Sequence, residues 1–166
     1  MTRRHIALSL AAALCLGTGG ALAASGQAKV AGADLPPAVA EAVAKAMPGM
    51  TVSEAEPKER EGRRYYDVEG RTADGQEIEL DLLEEGGAWR VVEIQRDIPW
   101  SAAPAPVRTA AAGASKRFEP ARVIESRQTD GSTVYELFAP GEPKTPAVEV
   151  MLRDGRAEVL KEVWPH

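Results

Sequence analysis

Residues 35–50, L-P-P-A-V-A-E-A-V-A-K-A-M-P-G-M, and residues 77–83, E-I-E-L-D-L-L, carry the two periodicities that decide this fold. In the first, Val39, Ala42, Val43, Ala46 and Met47 recur at spacings of three and four, with Glu41 and Lys45 on the other side. That spacing predicts a helix with one apolar face. Asp34 suits its N-cap, and Pro36 and Pro37 suit a first turn, where a missing N–H costs nothing. Pro48-Gly49 ends it, because proline cannot continue the hydrogen-bond ladder. In the second stretch Ile78, Leu80 and Leu82 alternate strictly with Glu77, Glu79 and Asp81, the period of a strand with one buried face.

Three more strands flank that one. Residues 50–56 alternate Met50 and Val52 against Thr51 and Ser53. Residues 64–70 set Tyr66 and Val68 against Tyr65, Asp67 and Glu69, and residues 88–94 set Val92 and Ile94 against Trp89 and Val91. Turns fall around Gly62, at Asp74-Gly75 and at Gly86-Gly87. These connections are too short for parallel crossovers, so the strands are antiparallel and the helix covers their apolar face.

A proline-rich linker, residues 99–105, leads to a second passage of the same plan over residues 106–166. Val107, Ala110, Ala111 and Ala114 stand for a second helix, Tyr135-Glu136-Leu137 matches Tyr66-Asp67-Val68, and residues 148–152 match residues 78–82. The offset is 69 residues both from Pro37 to Pro106 and from Tyr66 to Tyr135. The predicted fold is therefore α+β: two tandem repeats, residues 35–98 and 106–166, each one helix packed on a four-stranded antiparallel sheet, with the two sheets either separate or continuous.

The first residues read differently. Arg3 and Arg4 precede an almost wholly apolar run, residues 6–16, and Ala21-Leu22-Ala23 is a small-residue cleavage site, so residues 1–23 read as a secretory signal peptide. Residues 24–34 follow as a flexible leader. The mature chain is then periplasmic or secreted without a stable membrane anchor. Both the general secretory and the twin-arginine route are compatible with Arg3-Arg4. Cleavage removes the single cysteine, Cys15, and with it any disulfide or thiolate chemistry. It also takes the formal net charge from −5 to −7, since Arg3 and Arg4 leave and no carboxylate does. A surface of that sign disfavours nucleic acid as partner.

The L-P-x-x-V-x-x-A-V helix of residues 35–43, the P-G-M of residues 48–50, the Y-Y-D-V of residues 65–68 and the E-I-x-x-x-I of residues 93–98 resemble the PepSY-like domain of bacterial exported proteins. That group includes tandem β-lactamase-inhibitor-like repeats. The resemblance implies a helix on a four-stranded sheet, an envelope location, and binding or inhibition of another protein such as a peptidase or hydrolase. Unlike the β-lactamase inhibitory proteins, this chain has no mature cysteines.

Catalytic chemistry finds little to build on. The mature chain keeps one histidine, His166, at its last position, and contains no G-x-S-x-G, H-E-x-x-H or phosphate-binding glycine loop. The expectation is a non-enzymatic protein without cofactors. Asp67, Glu79 and Asp81 are the carboxylates best placed to ligate calcium or another small ligand as an envelope sensor would, although outward charges are what any half-solvated strand shows. Lys58, Arg60, Arg63 and Arg64, interspersed with Glu59 and Glu61, read as a solvated hairpin tip. On the sheet face away from the helices, Tyr65, Trp89, Phe138, Met151, Leu160 and Trp164 are the expected partner-binding anchors, because buried aromatic groups dominate interface energetics. A monomer with that face masked and a dimer burying it both fit the sequence.

Overall fold

The computed structural model describes residues 30–114 and 117–162; the expected signal peptide, the first part of the leader and Trp164 lie outside that range. A two-residue strand, β1 (Val30–Ala31), and a 3₁₀ turn (Gly32–Asp34) precede helix α1 (Pro37–Ala46). Leader residues 30–34 thus belong to the fold. Asp34 closes the 3₁₀ turn and does not cap the helix, whose N-cap is Pro36. Pro37 fills the first helical position, Lys45 sits in the last turn where the carbonyl end favours a cation, and Val39 and Val43 are buried.

Nine turn residues aside, residues 51–97 are all strand: β2 (Thr51–Arg60), β3 (Arg63–Arg71), β4 (Glu77–Glu85) and β5 (Ala88–Asp97). A 3₁₀ turn (Trp100–Ala102) and helix α2 (Ala105–Ala112) follow, then β6 (Arg122–Gln128), β7 (Thr133–Phe138), β8 (Val148–Arg153) and β9 (Arg156–Val159). The turns around Gly62, at Asp74-Gly75 and at Gly86-Gly87 fall where the sequence places them. Glu61-Gly62 and Asp154-Gly155 both hold two consecutive residues at positive φ, the backbone that matches the twist of adjoining strands. Among the described residues no helix is long and apolar enough to cross a membrane.

The expectation of two tandem repeats, each with its own four-stranded sheet, does not hold. Among the described residues the nine strands form one antiparallel sheet in simple chain order, and the fold is mostly sheet with two short helices. The overturning feature is the β5–β6 ladder, in which Glu93, Ile94, Gln95, Arg96 and Asp97 pair with Gln128, Arg127, Ser126, Glu125 and Ile124. An unpaired strand edge leaves a row of N–H and C=O groups open, and joining β5 to β6 removes two such edges at once. The residues expected as a linker are packed structure: Ala103 is 1% exposed and Trp100 packs against the second core.

Strand phase departs from plain alternation at two places. On β2 the register shifts between Val52 and Glu54, which leaves Val52 and Ala55 both on the helix side and turns Glu54 and Glu56 to the open face. The second departure overturns an expectation. The register shifts between Asp81 and Leu82, so that Asp81 faces Glu93 whereas Leu82 faces Val91, leaving Val92 as the extra residue of a bulge. One inserted residue reverses the facing of everything before it. Val91 and Trp89 therefore join Ile94 on the helix-covered side, and Trp89 does not lie on the open face. Two other local departures have plain causes. β2 runs past Pro57 because β1 pairs only with Glu54 and Ala55, so at Pro57 the strand is an edge and needs no donor. Gly70 is the only size that fits its place, since a Cβ there would stand 2.3 Å from the Thr51 carbonyl oxygen.

By register both helices lie over the same face of the sheet, each above its own apolar cluster. Val39 and Val43 meet Ala55, Val68, Ile78, Leu80 and Leu82 in one cluster, and Ala103 and Val107 meet Val123, Tyr135, Leu137 and Val150 in the other. Between them on that face lies a polar seam. Glu125 is 8% exposed; its Oε1 accepts from Arg96 Nε at 2.8 Å and pairs with Arg127 at 2.7 Å, while Tyr135 Oη donates to Oε2 at 3.4 Å. Burial pushes the Tyr135 phenol up to about 12, and the negative charge of Glu125 adds to that. Replacing Glu125 by Gln should lower the Tyr135 titration toward the ordinary value of 10, read as the tyrosinate absorbance in an alkaline titration. An unchanged titration would mean that Glu125 does not act on the phenol.

Candidate functional site: the open sheet face

The face away from both helices is built by alternation and register alone. On β3 the residues Tyr65, Asp67, Glu69 and Arg71 point there, on β4 Glu77, Glu79, Asp81 and Leu83, because Val68, Gly70, Ile78, Leu80 and Leu82 take the helix side. Register then aligns the acids into two rows. Glu56, Asp67, Asp81 and Glu93 stand directly opposite one another across β2, β3, β4 and β5, and Glu54, Glu69 and Glu79 form a parallel row that ends at Gln95. Like charges facing each other across strands are destabilising.

Lys58 and Arg60, next along β2, turn into this field. Lys58 Nζ forms an ion pair with Asp67, and Arg60 reaches the same carboxylate at 3.4 Å. They are therefore not only a solvated hairpin tip. Burial works against the charge of Lys58, yet its hydrogen bond to Asp67 and their attraction raise its pKa above the ordinary value. At the β5 end, the Ser126 hydroxyl donates to Glu93 Oε1, and Gln128 Nε2 donates to the same oxygen at 2.7 Å.

The middle of the field has less relief. Asp81 is 3% exposed and its Oδ1 accepts no hydrogen bond. Burial pushes its carboxyl up to about 8, with further pushes from Asp67, Glu93 and Glu79. Glu79 is raised as well, first by burial and then by Asp67 and Glu69. Carboxylate oxygens of Asp67, Glu79 and Asp81 lie within 4.8 Å of one another. Beside them opens a cavity of about 390 Å³ lined by Glu69, Glu77, Glu79, Gln95, Asp97 and Arg122 among others. Two of its arginines are already neutralised, Arg71 by Glu77 and Arg122 by Asp97 at 2.7 Å.

The structure brings Asp67, Glu79 and Asp81 together and disperses the expected aromatic anchors. Tyr65 is half-buried beneath Arg60 and Arg63, whose guanidinium carbons stand 5.2 and 5.9 Å from its ring centre. Trp89, on the helix side, meets Tyr66 edge-on at 5.1 Å. Phe138 is 3% exposed under Arg122, and it sits four strands from Tyr65, about 19 Å at the usual strand spacing. Met151, opposite Val134, and Leu160 are half-buried. The fully buried Val134 and Phe138 leave this half of the face less apolar at its surface than the sequence suggested.

Glu56 and Glu93 escaped the sequence reading, and Lys58 and Arg60 were read only as a hairpin tip. Glu56 reaches the open face through the register shift between Val52 and Glu54, and membership of the acidic rows depends on pairing register across four strands. No protein-family model matches the chain, and no characterised protein or solved structure matches it.

Proposed function

We propose that this chain is an exported, non-catalytic protein-binding module whose open sheet face docks a basic surface of another envelope protein. The carrying observation is the pair of opposed carboxylate rows, seven acids on a face that neither helix covers. Their mutual repulsion works against folding, and a positively charged partner surface relieves it on docking. A field of one sign also speeds the encounter with the opposite sign. The half-buried Ile124 and Met151 continue the face beyond the acids and supply apolar contact area beside the charged one, the mixture that non-obligate interfaces show. The PepSY-like resemblance favours a peptidase or hydrolase as the partner class and modulation or inhibition as the outcome.

The test is to identify the protein captured from an envelope extract, purify it, and measure its affinity for the wild type and for Glu69→Gln/Glu77→Gln at several salt concentrations. Both substituted side chains are exposed, which leaves the fold intact. Affinity should fall with salt and drop about tenfold in the variant, in keeping with one or two charge contacts of roughly 1 kcal/mol. An affinity indifferent to both salt and substitution would overturn the acidic face as the docking surface.

A further inference from the structure

We infer that Asp67, Glu79 and Asp81 form a binding site for a hard divalent cation of the calcium class. Asp67 and Asp81 are cross-strand partners on β3 and β4, and Glu79 precedes Asp81 by two residues on the same face, so the register itself delivers three carboxylates to one point. Their oxygens, within 4.8 Å of one another, span what two calcium–oxygen bonds of about 2.4 Å can bridge. All the ligands are oxygens, a set that selects hard cations over zinc or copper.

Clustered acids alone would signify little on an acidic face. The independent observation is Asp81, which is 3% exposed and whose Oδ1 accepts no hydrogen bond. A carboxyl oxygen withdrawn from water and given no donor is a costly arrangement that a bound cation, taking the place of the proton, resolves. Lys58 and Arg60 do not resolve it, because both are engaged with Asp67. Asp67 can serve both sides, since a carboxylate offers two oxygens and about four lone-pair positions. Glu79 also lines the open cavity of about 390 Å³, which gives a hydrated ion its approach and leaves room for the waters that complete six to eight ligands.

Asp67, Glu79 and Asp81 belong to the same carboxylate rows, but the docking test substitutes the exposed Glu69 and Glu77, so the variants can distinguish the two. The metal-stripped protein would be titrated with calcium chloride and, separately, magnesium chloride, following heat of binding and melting temperature. The expected result is saturable binding of one ion per chain, with a melting temperature that rises with ion concentration. Asp81→Asn and Glu79→Gln should each weaken it about tenfold or more, while Glu77→Gln, on the same face outside the cluster, should leave it unchanged. Circular dichroism confirms that each variant is folded. No heat and no melting shift with either ion at concentrations of about 10 mM, beyond the weakest extracellular calcium modules, would overturn the site. So would binding that survives both Asp81→Asn and Glu79→Gln, or that is lost equally in Glu77→Gln.

Discussion

Asp81→Asn is expected to stabilise the metal-free protein at pH 8 by several kcal/mol and to flatten its stability between about pH 4 and pH 8. Asp81 titrates at about 8 when folded, against 3.8 as its ordinary value, so over that window the folded chain holds a proton that the unfolded chain has released. A carboxyl raised in this way contributes its stability in full below the unfolded pKa. That contribution is lost as pH rises through the folded pKa. The slope approaches about 1.4 kcal/mol per pH unit inside the window. This is opposite in direction to the common salt-bridged carboxylate, whose contribution is lost on acidification. Asparagine retains the shape, cannot ionise, and removes one of the four acids in the row of Glu56, Asp67, Asp81 and Glu93. Urea unfolding from pH 4 to pH 9 with chelator present checks it: the wild type should weaken toward alkaline pH by more than the variant does. Parallel curves for the two proteins would show that Asp81 is not the group responsible.

Such a residue illustrates which parts of this molecule could be read from its sequence. Local chemistry was legible. Pro37 and Pro48-Gly49 bracket α1 because proline suits a helix's first position and cannot continue its interior, and strict alternation marks residues 77–83 as a strand whatever its neighbours. The hairpins at Asp74-Gly75, Gly86-Gly87 and Asp154-Gly155 follow from turn residues that tolerate positive φ. Alternation likewise put Glu79 and Asp81 on one face and allowed Asp67 to be placed opposite them.

Pairing between strands distant in sequence was not legible. Nothing in residues 93–97 distinguishes an open edge from one covered by β6, because the groups that pair are backbone N–H and C=O, common to every residue. The bulge at Val92 was invisible for a related reason. Val91 and Val92 are chemically alike, so the sequence does not say which of them is unpaired, and the choice reversed the facing of Trp89. The acidic rows combine both cases: each acid was visible on its own strand, whereas their alignment into a field with one orphaned oxygen at Asp81 exists only once four registers are set together.

Ser126→Pro is expected to be the most damaging substitution in the sheet and to show that the two apolar clusters unfold as one unit. Ser126 is fully buried on β6, facing Gln95 of β5 on one side and Val134 of β7 on the other. With a neighbour on each side, β6 has no edge at which a missing donor would go unnoticed, and proline in a central strand removes a ladder bond and restricts φ. A loss of about 3 kcal/mol or more follows. Ser126→Ala separates this from the side chain, whose hydroxyl donates to Glu93 and whose loss should cost about 1–2 kcal/mol. In the wild type, one sheet continuous through β5 and β6 predicts a single cooperative transition, with tryptophan fluorescence and far-ultraviolet dichroism changing together. Both probes should move to lower denaturant in Ser126→Pro, well beyond their shift in Ser126→Ala. If proline proved no worse than alanine, or if the wild type already unfolded in two separate steps, the β5–β6 ladder would not be what joins the two clusters.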